Sequence, residues 1–163
     1  MLMEAIVLIK DLLKMETIFL DIEVPGQKKK SALKLLSEKC ADYSGIEERT
    51  LFKAFEQREK IDSTGFGGGI AIPHAKLDKL EKPFIAIMRF KEPIDWKSID
   101  GQPVKLVIAL VMPKNDKNNT HLKVISSLSR KLANEEFIQE ITAKENRGEL
   151  YKFIIEKMEE NAK

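Results

Sequence analysis

A chain of 163 residues, 33% of them charged, with a formal net charge of +2, is long enough for one hydrophobic core that buries about two-thirds of its unfolded surface. Its Lys and Arg are spread along the sequence rather than gathered in a basic tail, which argues against a nucleic-acid-binding role. A single cysteine excludes an intrachain disulfide, and Glu4, Lys10 and Asp11 interrupt the apolar residues of 1–13. That stretch therefore reads as neither a secretion signal nor a membrane span, and the reducing cytoplasm is the expected location.

In chain order, Leu2, Ile6, Ile9 and Leu13 share one face of a short first helix. Ile18 to Val24 then alternates as a strand, with Ile18, Leu20, Ile22 and Val24 on one side and Pro25-Gly26 closing it. A helix follows, with Ser31 as a plausible N-cap and Leu33, Leu36 and Cys40 on its inner face, which makes Cys40 a core thiol rather than a redox centre. Gly45 ends it, and a second helix over about 47–58 carries Leu51, Phe55 and Arg58 on one face. A cation on the inward side of a helix C-terminus either snorkels and complements the dipole or clamps an anion.

The next stretch, Ser63-Thr64-Gly65-Phe66-Gly67-Gly68-Gly69-Ile70-Ala71-Ile72-Pro73-His74, delivers one of only two histidines to the end of a glycine-rich loop. Glycines leave backbone N–H groups open to an anion and Ser63 and Thr64 add hydroxyl donors, so Ser63, Thr64, Gly65, Gly67, Gly68 and Gly69 are candidate phosphate ligands. Pro73 fixes the backbone before His74, whose imidazole is a suitable nucleophile at neutral pH. Phe84–Phe90 and the almost unbroken apolar run Val104–Met112 read as central strands, the second buried on both sides, and Trp96 between them as packing. His121 opens the inward face of a helix continued by Ile125, Leu128 and Leu132, with Asn118, Asn119 or Thr120 as N-cap. Interleaved helices and strands predict an α/β fold: a small mixed β-sheet covered by helices on both faces, in a single domain over 1–163.

The twelve residues from Ser63 to His74 resemble the S-T-G-hydrophobic-G-x-G-I-A-I-P-H signature of the fructose/mannitol-type enzyme IIA domains of the bacterial phosphoenolpyruvate-dependent phosphotransferase system, whose nitrogen-regulatory branch carries the same motif. The likeness continues through Leu12-Leu13, Arg58-Glu59, Gly101-Gln102-Pro103-Val104 and Thr120-His121-Leu122. Gly68 departs from it, since many members have Asn or another polar residue there. The resemblance implies a phosphohistidine carrier. His74 would take a phosphoryl group from the histidine of HPr and pass it to a cysteine of an enzyme IIB, or else let a regulatory target protein read its phosphorylation state. It assigns Arg58, sixteen residues before His74, as a clamp on the phosphoryl oxygens, and His121 as a hydrogen-bonding neighbour in an H-L-x-x-[LVI] setting. It implies no cofactor or metal, and contact with a membrane sugar permease only through IIB and IIC.

Other readings fit less well. The glycine run lacks the Gly-Lys-[Ser/Thr] ending of a P-loop, and two histidines 47 residues apart with no cysteine partner make a weak metal site. Lys76, Lys79 and Lys82 read as solvated surface charge. Phe66, Ile72 and Leu77 are the candidate apolar rim for a docking partner.

Overall fold

The two long apolar runs form the centre of the sheet. In the computed structural model, which describes residues 9–116 and 119–160, they become β5 of the elements below, Phe84–Ile94, and β6, Val104–Pro113, paired antiparallel from Phe84↔Val111 to Ile94↔Val104. Before them come β1 (Leu13–Ile22), α1 (Lys29–Ser44), α2 (Glu48–Ile61), β2 (Gly65–Gly67), β3 (Ile70–Ala71) and β4 (His74–Leu77). After them come α3 (Thr120–Leu132), α4 (Glu135–Ala143) and α5 (Arg147–Glu160). The sheet runs β1-β5-β6-β3-β2, with β1 parallel to β5, and β3 and β4 both parallel to β6 along one edge.

Alternation along β5 and β6 divides the core in two. Ile85, Ile87, Leu106, Ile108 and Leu110 pack on α3, α4 and α5 through Val124, Leu128, Phe137, Ile141 and Ile154. Ala86, Met88, Val107, Ala109 and Val111 pack on α1 and α2 through Leu33, Leu36, Cys40, Leu51 and Phe55. The mixed sheet covered on both faces is thus as expected, and β6 is buried on both sides as its composition requires. Cys40 is a core thiol, its pKa pushed up to about 12 by burial.

Several expectations need correction. Of the first helical face, Ile9 lies in helical residues 9–12 as expected, but Leu13 already begins β1; Leu2 and Ile6 lie outside the described residues. β1 starts five residues earlier than expected because Lys14, Glu16 and Thr17 hide it, yet Thr17 is fully buried and its hydroxyl donates to the Ile85 carbonyl at 2.8 Å. Ile18 and Leu20 face one core but Ile22 and Val24 the other, because Asp21 takes a left-handed φ of 56° that flips the strand. α1 begins at Lys29 with Lys28 as N-cap, which leaves Ser31 inside the first turn. α4 and α5 follow the last helix read from the sequence. Asn134 caps α4, its Oδ1 accepting from Glu136 N–H (2.8 Å) and Phe137 N–H (3.2 Å).

Candidate functional site

Ile70–Leu77 is one edge strand interrupted at Ile72-Pro73, where proline has no N–H for a ladder. The break is bridged on both sides. Ile72 N–H donates to the Thr64 carbonyl (3.0 Å), and Leu110 N–H donates to the Pro73 carbonyl (2.9 Å). His74 opens β4 directly after this fixed point, opposite Leu110. Ala75 and Leu77 point into the α1–α2 core, so His74 and Lys76 project to the α3 side of the sheet.

Around the partly buried His74 imidazole the fold gathers charge. Burial is the main cause that brings its pKa down to about 4; Arg58, His121 and Lys76 lower it further, and Glu59 alone pulls upward. The ring is therefore neutral at pH 7, with a nucleophilic lone pair, in a field that disfavours positive charge and favours an anion. Lys76, expected to be plain surface charge, is exposed but belongs to this field.

Arg58 lies in the last turn of α2, and its Nη1 donates to the Asp62 carbonyl at 2.7 Å. This bond commits one of the five guanidinium N–H donors and holds the side chain at the helix end. His121, in the first turn of α3, is partly buried, and its Nδ1 lies 2.6 Å from Asp116 Oδ2. Asp116 also accepts from His121 N–H and Thr120 N–H, both at 3.0 Å. Burial would raise the Asp116 pKa, but these bonds and the nearby imidazole outweigh it and hold the carboxyl below its usual value. Asp116 thus does the capping expected of 118–120. Asn119 occupies the N-cap position with φ 52° and no side-chain bond, Thr120 is the first helical residue, and Asn118 lies outside the described residues.

Next to Arg58, the Glu59 carboxylate is 6% exposed and ties together α1, α2 and the motif. It accepts from Thr64 N–H (3.1 Å), the Thr64 hydroxyl and Trp96 Nε1–H (3.3 Å), and pairs with Lys29 Nζ at 2.5 Å. Trp96 Nε1–H also reaches the Thr64 hydroxyl at 3.1 Å, so the indole, expected only to pack, is part of a polar network.

Several donors of the glycine-rich segment are bonded within the protein. Ser63 Oγ donates to the Trp96 carbonyl (3.0 Å) and accepts from Gly65 N–H (3.1 Å), while the Thr64 hydroxyl is taken by Glu59. Gly67, Gly68 and Gly69 form the tip of the β2–β3 hairpin, where the Gly69 carbonyl accepts from Lys105 N–H (2.7 Å) and Leu106 N–H (3.1 Å). His74 sits at Leu110, four residues further along β6 than Leu106, or about 13 Å at strand spacing. The hairpin tip is thus displaced along the sheet from His74, with the extended Ile70–Ala71 between them. Gly68 N–H is instead given to Asp100 Oδ2 at 2.9 Å.

The apolar rim is corrected too. Phe66 is 40% exposed, but Ile72 (5%) and Leu77 (6%) are core residues, and the exposed apolar neighbour of the second histidine is Leu122 at 55%. Sequence reasoning missed Asp116 and the role of Glu59, and no local spacing marks either one. Among the described residues no group of three or more His, Cys, Asp or Glu could hold a metal ion, and no helix is long and apolar enough to cross a membrane.

Residues 11–157 match the model of the family described as phosphoenolpyruvate-dependent sugar phosphotransferase system, EIIA 2. The chain is 38% identical over 146 residues to a nitrogen regulatory protein of Bradyrhizobium diazoefficiens (90% of this chain, 94% of that one). It is 34% identical to a PTS system fructose-like EIIA component of Escherichia coli (75% and 82%). Among solved structures, the nitrogen regulatory protein IIA-Ntr of Neisseria meningitidis superposes with a TM-score of 0.81 at 28% identity, covering 89% of this chain and 97% of that one.

Proposed function

The chain belongs to the EIIA 2 family of the phosphoenolpyruvate-dependent sugar phosphotransferase system, and from that premise we propose that it is a phosphohistidine carrier with His74 as the carrying residue. The observation that supports this reading is the environment of His74: burial, the cations Arg58 and Lys76, and the neighbouring His121 keep the ring neutral, and the same groups suit a phosphoryl group once it arrives. A neutral ring nitrogen attacks phosphorus while the bond to the donor's histidine, on HPr, breaks in line. The product is a phosphoramidate whose new negative charge lies among Arg58, His121 and Lys76. The group is then handed to an acceptor cysteine on an enzyme IIB, or its presence is read by a target protein. Either role is a cytoplasmic one, and no metal enters either step.

A regulatory output is favoured over sugar uptake by the names of the relatives that span the chain. Those at 38% and 37% identity are nitrogen regulatory proteins, the fructose-like component being 34% identical. In that reading the charge placed on His74 changes which target the surface around it binds.

The decisive experiment incubates wild type, His74→Ala and His121→Ala with phosphoenolpyruvate, enzyme I and HPr, followed by intact-mass measurement at neutral to alkaline pH. A single acid-labile phosphoryl addition, absent from His74→Ala, is expected. Uptake by His74→Ala, or none by wild type, would remove the assignment. For the regulatory output, a target captured by only one of the phosphorylated and unphosphorylated forms is expected, and restored sugar uptake in a IIA-deficient strain would argue for transport instead.

A further inference from the structure

We propose that Asp116 is a positioning residue of the phosphoryl site: it fixes His121 with its Nδ1–H toward the carboxylate, and a phosphoryl group arriving on His74 is met by a proton taken from solvent onto His121 Nε2. The proposal rests on the carrier reading above, but its first half concerns the unphosphorylated protein and stands on geometry alone.

A carboxylate can only accept, so at 2.6 Å from Asp116 Oδ2 the Nδ1 of His121 must be the donor. Three bonds converge on Asp116, from His121 Nδ1–H, His121 N–H and Thr120 N–H, so the carboxylate cannot turn without uncapping α3. Its side chain is 8% exposed and the imidazole 17%, which protects the pair from water. Nε2 is thus the ring nitrogen left for any second partner. In the neutral ring it carries a lone pair, which repels phosphoryl oxygens; to bond one it must carry a hydrogen. The required proton adds to Nε2 while the P–N bond forms on His74, giving an imidazolium held between two anions, the carboxylate on one side and the phosphoryl group on the other. The charged and titratable groups that act on His74 are Arg58 and Glu59 from α2, Lys76 from β4 and His121 from α3, and Asp116 is the partner of His121. The arriving phosphoryl group brings negative charge to the Nε2 side of the ring, which favours a proton there. Protonation is thereby tied to phosphorylation.

The test uses full-length protein with 15N-labelled histidine, phosphorylated directly with phosphoramidate so that no protein donor is needed. In unphosphorylated wild type the ring 15N shifts of His121 should report the Nδ1–H tautomer. Asp116→Asn, which keeps an oxygen acceptor for the helix N–H groups, should mix the tautomers. In the phosphorylated protein both ring nitrogens of His121 should be protonated at neutral pH. Hydrolysis of phospho-His74 should accelerate as pH rises through the deprotonation of His121, by about tenfold, the worth of one charge-assisted hydrogen bond. In Asp116→Asn that inflection should move to lower pH. An Nε2–H tautomer in free wild type, or identical hydrolysis profiles for wild type and Asp116→Asn, would overturn the proposal. If Asp116→Asn does not fold, the wild-type tautomer and the His121→Ala hydrolysis profile decide it. Were His74 to accept nothing from phosphoramidate, the carrier reading and the proton step would both fall, while the tautomer would still judge the positioning role.

Discussion

At His74 burial and neighbouring cations act on one imidazole, and the result is a pH dependence with a definite sign. The folded-state pKa is brought down to about 4 from the ordinary imidazole value of 6.5, so between those values the unfolded chain binds the proton more readily. Stability contributed by the neutral ring is complete above pH 6.5 and is lost as pH falls toward 4. Between pH 7 and pH 4.5 wild type should lose about 2.5 kcal/mol more than His74→Gln, measured by urea unfolding at both pH values. Glu59 gives a second test. Glu59→Ala leaves Lys29, the Trp96 indole N–H and Thr64 without their shared acceptor, and should cost about 2 to 3 kcal/mol. Combining it with Lys29→Met should cost less than the sum, as a double-mutant cycle would show. The two histidines and Arg58 stood out in the sequence because a motif and a spacing surround them. Asp116 did not, and Glu59 entered only as the neighbour of Arg58 without a role, because they are two of 26 acidic residues and their partners, Trp96 and the His121 ring, are brought to them only by tertiary folding and loop geometry.

Among the elements, the long strands were legible because β5 and β6 are apolar on both faces and bounded by prolines. The short ones were not. Gly65 to Ala71 reads as an open loop, yet it forms a hairpin whose first strand is pressed against the β5–β6 connection. The tightness is measurable: a Cβ on Gly65 would stand 2.1 Å from Ser98 Oγ and 2.9 Å from Ser98 Cα. Gly65→Ala should therefore cost about 2 to 4 kcal/mol by displacing Ser98 and with it the Trp96 carbonyl that holds Ser63. Gly45→Ala is the contrasting case. Its φ is 78° but nothing lies within 4 Å of the added carbon, so only the left-handed backbone is strained, at about 1 kcal/mol. Thermal unfolding of the two variants separates crowding from dihedral strain. The flip of β1 at Asp21 was equally hidden, since an alternating pattern continues across a left-handed residue without any sign of it in the side chains.

For the whole molecule, helices on both faces of a mixed sheet followed from interleaved patterns, but which side each site residue approaches from did not. Arg58 comes from the α1–α2 layer and His121 from the α3–α5 layer, and they meet at His74 because β4 lies on the sheet edge between the two layers. If His74 carries the phosphoryl group as proposed, a partner approaches this edge, where Leu122 is exposed beside His121. Leu122→Ser should slow phosphoryl uptake from HPr about tenfold, the worth of one interface anchor, while leaving uptake from phosphoramidate unchanged. Equal effects on both donors would place Leu122 outside the docking surface.

The bridged break at Ile72-Pro73 has a kinetic meaning for such a hand-over. Because the residues on either side of His74 are bonded into the sheet, no hinge precedes it, and protection of the Leu110 amide from hydrogen exchange should be the same with and without the phosphoryl group. On the proposed carrier reading, the chain then contributes little reorganisation of its own to either half of the exchange. Whatever adjustment is needed to bring donor, phosphorus and acceptor into line must be made by the visiting partner.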